Sequence, residues 1–199
     1  EVLKIVHTYR NSQELIDIAG GFVQKNETQI KKTLISPKTI DKPVVVISYT
    51  DQFDKLETKS VTGVQLEKAK AVDYALSLIA KDIKDKRHSV LLIGRYNFDG
   101  ERLGRTRLFN YDEETKQISS VNYPDINLTF MSAHSSKGLG YDDVIIINNA
   151  NERFGFPSQI EDDPILNLVI NTDRSIEYAE ERRLFYVALT RTKNRVYLA

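Results

Sequence analysis

The tetrapeptide Thr8-Tyr9-Arg10-Asn11 combines two side chains that suit a nucleotide. A tyrosine ring offers a flat face on which a nucleobase can stack, and an arginine offers a planar fork that grips phosphate oxygens through paired hydrogen bonds. Taken alone, the tetrapeptide is also typical of a turn with an exposed arginine and a half-buried tyrosine. Nucleotide binding is therefore one of two interpretations of this cluster.

A second cluster, Met131 to Leu139 (MSAHSSKGL), is rich in groups that bind phosphates. Ser132, His134 and Lys137 supply a hydroxyl, an imidazole and an ammonium group, and Gly138 supplies a backbone amide. The alternative is a Ser/Gly turn in which the histidine lies at the surface or is satisfied in the core. The residue types fit the phosphates of a nucleotide or of a nucleic acid.

A third cluster, residues 180–191, reads as a helix that ends in a guanidinium group. Leu184, Val187, Ala188 and Arg191 recur at helical spacing, so the apolar face stops at an arginine. The alternative is an amphipathic helix whose charged residues from 180 to 183 pair locally, which stabilises a helix by roughly a few tenths of a kcal/mol.

The chain has no phosphate-binding loop of its own. None of its nine glycines is followed by lysine, which a G-x-x-x-x-G-K-[S/T] loop requires. Asp142 and Asp143 precede an apolar strand, whereas a magnesium site of this kind needs an acidic pair at a strand end. We therefore predict no metal ligands here, and a half-site that offers arginines to a phosphoryl group held by another domain. Such an arginine can accelerate phosphoryl transfer by about 10³ to 10⁵.

The elements that must position these clusters alternate between strands and helices. Apolar runs predict strands at 2–6, 44–47, 89–94, 128–133, 144–147 and 195–198. Helical periodicity predicts helices at 65–83 and 179–190, a helix after Asn11 or Ser12, and a short one within 96–109. This alternation predicts an α/β fold with a mainly parallel sheet, in which ligands lie at the carboxyl ends of strands. Each of the three clusters lies where such a sheet would present a loop.

Composition narrows the class of protein further. The 199 residues are 41% hydrophobic, which suits one domain, residues 1–199, with the polar stretch 110–127 as a short insertion, hairpin or loop. Lysine plus arginine and aspartate plus glutamate number 28 each, so any nucleic-acid contact must be local. The absence of cysteine and of a long apolar run favours a cytoplasmic protein that does not cross a membrane. Because the chain begins at Glu1 and its only methionine is Met131, we expect it to be part of a longer polypeptide.

Taken in order, the three clusters resemble the C-terminal motor half of UvrD/Rep/PcrA-type superfamily 1A DNA helicases, and especially helicase IV-like members. The segment 8–11 resembles motif IV, 131–139 resembles motif V, and Glu180 to Lys193 (EERRLFYVALTRTK) resembles motif VI. The stretch 91–103 and Gly155-Phe156-Pro157 also fit the layout of the family. Many relatives carry a large inserted domain before motif V, and 110–127 is too short to be one.

The resemblance implies a three-layer RecA-like, P-loop NTPase-like fold that lacks its own P-loop. It implies that Tyr9 stacks on adenine and that Arg10 and Arg191 are catalytic arginines that approach the γ-phosphate. Gly138 and Gly140 would lie against the nucleotide, although many relatives have a sugar-contacting glutamate where this chain has Gly140.

The resemblance also implies partners. Ser132, His134 and Lys137 would contact single-stranded or partly duplex DNA. ATP and Mg²⁺ would be the cofactors of the full-length protein, the metal being held by an N-terminal RecA-like domain of the same polypeptide in the bacterial cytosol or nucleoid. The isolated chain would be inactive.

A second hypothesis is a helicase-like binding platform without catalysis, for DNA or a protein partner. A self-contained small-molecule enzyme has little support, because three histidines and no cysteine give neither a nucleophile with its base nor a metal-ligand spacing.

Overall fold

The computed structural model describes residues 6–27, 29–30, 33–50, 63–83, 85, 87–160 and 178–199. A five-stranded, all-parallel sheet lies at its centre, and a two-stranded antiparallel hairpin lies beside it. The sheet strands are β1 (Val44–Val46), β2 (Ser89–Gly94), β5 (Asn127–Ser132), β6 (Asp143–Ile146) and β7 (Val196–Leu198), and the hairpin strands are β3 (Phe109–Tyr111) and β4 (Ile118–Ser120). The helices are α1 (Gln13–Val23), α2 (Gly63–Asp82), α3 (Phe98–Gly104) and α4 (Ala179–Leu189).

The spatial order of the sheet is β1-β7-β6-β2-β5. The central strands are buried on both faces, which is why their sequences are continuous apolar runs rather than alternating ones. These observations confirm the predicted α/β class with a mainly parallel sheet. The predicted strand at 2–6 lies almost entirely outside the described residues.

Successive strand residues divide two hydrophobic cores between the faces of the sheet. Leu92 and Ile145 point into a core with α2, α3 and the hairpin, whereas Leu91 and Val144 point into a core with α1 and α4. Because side chains alternate along a strand, one apolar run serves both cores and a three-layer arrangement results.

The predicted helix 65–83 rests on an apolar stripe of six residues at helical spacing: Leu66, Ala69, Val72, Leu76, Ile79 and Ile83. In α2 the first of them, Leu66, is exposed, whereas Ala71 and Ala75, which lie outside the stripe, are buried. Alanine has only a methyl group, so these positions let the helix approach the sheet closely. Among the described helices, none is long and apolar enough to cross a bilayer.

Two local features connect the fold to the residues of interest. Ser12 is the N-cap of α1, its Oγ accepting a hydrogen bond from the N–H of Leu15 at 3.3 Å, which leaves Asn11 for a different role. The hairpin within 110–127 is closed by a polar turn, and Phe109 and Ile118 anchor it in the core.

Candidate functional site

Two guanidinium groups from opposite ends of the chain meet at one backbone carbonyl. Arg10 Nη1 donates a hydrogen bond to the Leu139 oxygen at 3.3 Å, and Arg191 Nη1 donates to the same oxygen at 3.2 Å. The segments 8–11, 131–140 and 180–191, which carry the three sequence clusters, therefore converge at Leu139. We refer to Arg10 and Arg191 as the arginine pair.

The arginine pair carries positive charge without a nearby carboxylate. Neither guanidinium forms an ion pair within the described part of the chain. Burial lowers the pKa of Arg191, and the neighbouring charge of Arg10 lowers it further. An arginine still stays protonated at neutral pH, so two like charges share one neutral acceptor. Such an arrangement attracts an anion that can accept from both forks.

The guanidinium of Arg191 is oriented by its own helix. Its Nε donates to the Val187 carbonyl at 2.9 Å, and its Nη2 lies 3.3 Å from Thr190 Oγ1. These bonds use Nε and Nη2 and leave Nη1 directed at Leu139. The C-terminal turn of α4 thus holds the arginine in one orientation.

Asn11 fastens the segment that carries Arg10 to the end of α4. Its Nδ2 donates to the Thr192 carbonyl at 2.7 Å and to the Thr190 carbonyl at 3.3 Å, and its own carbonyl accepts from Ser36 Oγ at 2.7 Å. The side chain is buried, so these bonds are shielded from water. Sequence reasoning included this residue in the tetrapeptide 8–11 and named it as a possible cap for α1, but missed its bonds to the segment that carries Arg191.

Two glycines shape the backbone beside the arginine pair. Gly138 has φ +86°, a left-handed conformation that favours glycine. A Cβ at Gly140 would lie 3.3 Å from Arg10 Nε, so the missing side chain makes room for that guanidinium. Tyr9 is 77% exposed and its ring face is open to solvent.

Ligands of a parallel sheet are expected at its carboxyl edge, but the arginine pair lies at the opposite edge. Tyr141 bridges Thr192 just before β6 and β7 begin, and the Tyr141 N–H donates to the Arg191 carbonyl at 2.9 Å. Helix α4 and the segment 133–142 both run back across the sheet, which carries Leu139 and Arg191 toward the amino ends of β6 and β7.

The start of the motif-V-like loop does lie at the carboxyl edge. Ser132 ends β5, and the Ala133 N–H donates to the carbonyl of Gly94 at the end of the neighbouring β2. His134 and Lys137 are exposed, whereas Ser132 is buried with its Oγ 2.9 Å from Ser135 Oγ. A ligand that approaches this loop meets His134 and Lys137 before Ser132. Burial lowers the pKa of His134, and the charges of Arg95 and Lys137 lower it further.

An aromatic and basic cluster that the sequence reasoning missed follows β2 at the same edge. The Tyr96 and Phe98 rings stack at 5.0 Å, and Phe154 meets Phe98 edge-on at 5.7 Å. Arg102 lies over Phe98 at 4.4 Å, and Arg153 lies over Phe154 at 5.5 Å. The available signal was an Arg-Tyr-Asn-Phe run directly after a buried strand.

Metal binding finds no geometric support in the described ranges, where no three acidic or histidine side chains are grouped closely enough to hold an ion. Asp142 and Asp143 lie at the amino end of β6 and bind Ser89 and His88 instead. Within the described ranges, the arginine pair groups two charges that suit a phosphate, and the carboxyl edge presents separate basic groups about one helix length away.

Comparisons with known proteins find similarity to a DNA helicase and to a helicase domain model. The chain is 28% identical over 190 residues to DNA helicase IV of Escherichia coli (strain K12), covering 96% of this chain and 23% of that protein's length. The crystal structure of the C-terminal domain of a possible DNA helicase from Lactobacillus plantarum WCFS1 is similar in fold, with a TM-score of 0.50 and 18% identity over 96% of this chain and 86% of that one. Residues 101–199 match the model of the UvrD-like helicase C-terminal domain. Over residues 101–199, the chain is therefore similar to the UvrD-like helicase C-terminal domain family.

Proposed function

We propose that this chain is the C-terminal half of an ATP-dependent DNA helicase or translocase, supplying a phosphate-binding arginine pair to a nucleotide site shared with an N-terminal RecA-like domain. The observation that supports the proposal most directly is the convergence of Arg10 and Arg191 on the Leu139 carbonyl. The chain itself has no G-x-x-x-x-G-K-[S/T] loop, so in this proposal a second domain would hold the nucleotide phosphates.

The arginine pair would act as two fingers on the γ-phosphate. A phosphate oxygen is a stronger acceptor than a neutral carbonyl, so Nη1 of each arginine would exchange Leu139 for the phosphate. Both charges would then stabilise the negative charge that develops during phosphoryl transfer. When bound, ATP with Mg²⁺ supplies the phosphoryl group, and the N-terminal domain would hold the metal.

The residues around the pair would define the rest of the nucleotide surface. The exposed ring of Tyr9 would stack on adenine, and Gly138 and Gly140 would allow the backbone to approach the nucleotide closely. Closure of two domains on a nucleotide brings such groups into place and excludes water.

The carboxyl edge would bind single-stranded or partly duplex DNA in the bacterial cytosol or nucleoid. His134 and Lys137 are exposed there and would contact phosphates, while buried Ser132 would act by shaping the loop. The rings of Tyr96, Phe98 and Phe154 add faces typical of stacking platforms for unpaired bases.

The test uses the whole polypeptide and measures DNA-stimulated ATP hydrolysis. Arg10→Ala and Arg191→Ala should each lower the rate by roughly 10³-fold with nucleotide binding largely retained. Arg87→Ala is the matched control, because this arginine is 91% exposed and its ion-pair partner among the described residues is Asp85, two positions away. Unchanged hydrolysis in both finger variants would contradict the proposal.

The second candidate is a binding platform without catalysis, which Gly140 favours because it presents no side chain to a nucleotide. In that case the wild-type polypeptide would bind DNA or a protein partner and hydrolyse ATP at the same rate as the two finger variants.

A further inference from the structure

A bidentate ion pair lies at the end of α4 that is remote from the arginine pair. Arg95 Nη2 lies 2.7 Å from Glu181 Oε1, and Arg95 Nε lies 2.9 Å from Oε1 and 3.1 Å from Oε2. The two side chains are only 17% and 14% exposed. Parallel contacts between two planar groups fix their mutual orientation as well as their distance.

Glu181 also binds the loop that follows β6. The Ser158 N–H donates to Glu181 Oε2 at 3.0 Å, and Ser158 Oγ lies 2.6 Å from the Tyr96 hydroxyl. One carboxylate therefore joins the end of β2, the loop after β6 and the first turn of α4. It does so at the carboxyl edge, where the motif-V-like loop begins.

Helix α4 connects this carboxylate to the arginine pair. Ten residues separate Glu181 from Arg191, which corresponds to about 15 Å along a helix. Leu184 and Ala188 are buried against the sheet between the two ends, and the Phe185 ring packs 5.5 Å from Phe22 of α1. A hydrogen-bonded helix moves as a unit, so a displacement at Glu181 reaches the guanidinium of Arg191.

The charges of the ion pair reach the loop that presents His134. Beyond the effect of burial, the charge of Arg95 lowers the pKa of His134 and that of Glu181 raises it. A phosphate bound at His134 and Lys137 would therefore interact with Arg95 and compete with Glu181 for its guanidinium. Binding would change the restraint on the first turn of α4.

We propose that Glu181 is a positioning residue that couples nucleic-acid binding at the carboxyl edge to the arginine pair through α4. The inference rests on the proposed function, because it assigns the regulation of the same nucleotide site. A ligand shifts a conformational equilibrium only through contacts that differ between the two states, and in this proposal the Arg95–Glu181 contact would be the one that changes.

The experiment compares two neighbouring glutamates of α4 in the whole polypeptide. ATP hydrolysis is measured with and without saturating oligo-deoxythymidine, and the result is the ratio of the two rates. Glu181→Gln keeps the shape and an oxygen acceptor but removes the charge, and it should lower the ratio at least about fivefold. Glu180→Gln is the control, because Glu180 is 74% exposed and pairs locally with Arg183, and the ratio should not change.

Two further variants separate coupling from loss of folding. Glu181→Asp keeps the charge and should restore part of the ratio of the two rates. A merely structural defect would not be relieved by restoring the charge. Tyr96→Phe removes one hydroxyl from the same network and should lower the ratio less than Glu181→Gln, and it remains informative if Glu181→Gln unfolds.

The outcomes separate the inference from the proposed function. Equal ratios for wild type, Glu181→Gln and Tyr96→Phe would overturn the coupling role while leaving the motor intact. A wild-type polypeptide whose hydrolysis does not respond to DNA would instead overturn the proposed function, and the coupling role with it.

Discussion

The two ends of α4 hold arginines in opposite electrostatic situations. Arg95, beside the first turn, lies in a bidentate pair with Glu181. Arg191, just past the last turn, binds neutral groups in the described part of the chain and has Arg10 as its charged neighbour. A compensated charge ties segments of the fold together, whereas an uncompensated one is left to bind an anion.

The ion pair of Arg95 and the arginine pair should also differ in whether they contribute to stability or to phosphate binding. Removing one partner of a mostly buried pair leaves the other charge without compensation, which is costly to the folded state. Removing one member of the arginine pair relieves the repulsion between like charges, so its cost appears only when a phosphate has to be bound. The same arginine-to-methionine substitution should therefore lower the stability of the fold at Arg95 and leave it nearly unchanged at Arg191.

The largest expected effect on stability comes from Arg95→Met. We expect the free energy of unfolding to fall by about 2 to 4 kcal/mol, because the Glu181 carboxylate is left largely buried without its guanidinium. Arg191→Met should change it by no more than about 0.5 kcal/mol. Urea denaturation of both variants beside wild type provides the measurement.

The double variant Arg95→Met/Glu181→Leu is the control for this comparison. It removes both charges together and should recover much of the stability lost in the single variant. If Arg191→Met proved as destabilising as Arg95→Met, the proposed difference between the two ends of α4 would be wrong.

The sequence predicted much of this arrangement but not its connections. Long apolar runs and helical periodicity were sufficient for the strands and helices, because both are local signals. The shared contact of Arg10 and Arg191 with Leu139 depends on segments more than 100 residues apart, which no local pattern encodes. The resemblance to motifs identified the residues without saying where they lie on the sheet.

Residues 180–183 follow the interpretation of local charge pairing only in part. Local pairing was one interpretation of this run, and Glu180 does pair with Arg183 at the surface. Glu181 points about 100° further around the helix, because each residue of an α-helix is rotated by that angle. It therefore faces the sheet and reaches Arg95, a residue 86 positions away in the sequence.

A smaller effect is expected from Asp142, close to the arginine-pair end. Burial alone would raise its pKa, but hydrogen bonds from the Ser89 backbone, Lys193 Nζ and the Ser89 hydroxyl outweigh burial and bring the pKa to about 2 from an ordinary 3.8. Because the pKa is lower in the folded state, the carboxylate stabilises the fold above pH 3.8, by about 2 kcal/mol. This contribution is lost as the pH falls through about 2.

Asp142→Asn tests this pH dependence. The difference in unfolding free energy between wild type and the variant should be largest near neutral pH and should shrink between about pH 4 and pH 2. Glu180→Gln gives the comparison at the other end of the helix, because its exposed local pair contributes little. A difference that stays constant down to pH 2 would contradict the assignment to Asp142.

The smallest expected effects separate two glycines of one loop. At Gly140 a methyl group would approach Arg10 Nε to 3.3 Å without straining the backbone, so Gly140→Ala should displace that flexible guanidinium by a few tenths of an ångström. ATP hydrolysis by the whole polypeptide should fall by about two- to fivefold, since small misplacements of a catalytic group are costly. Thermal stability should stay the same.

Gly138→Ala should give the reverse result. Its Cβ would meet no atom within 4 Å, but the residue has φ +86°, where a side chain costs about 1 to 2 kcal/mol of stability. Together the two variants show whether ATP hydrolysis depends on the position of the Arg10 guanidinium or on the backbone conformation of the loop beside it. Equal losses of hydrolysis in both would mean that Gly140 acts through the backbone, and that Arg10 does not depend on the space left by the missing side chain.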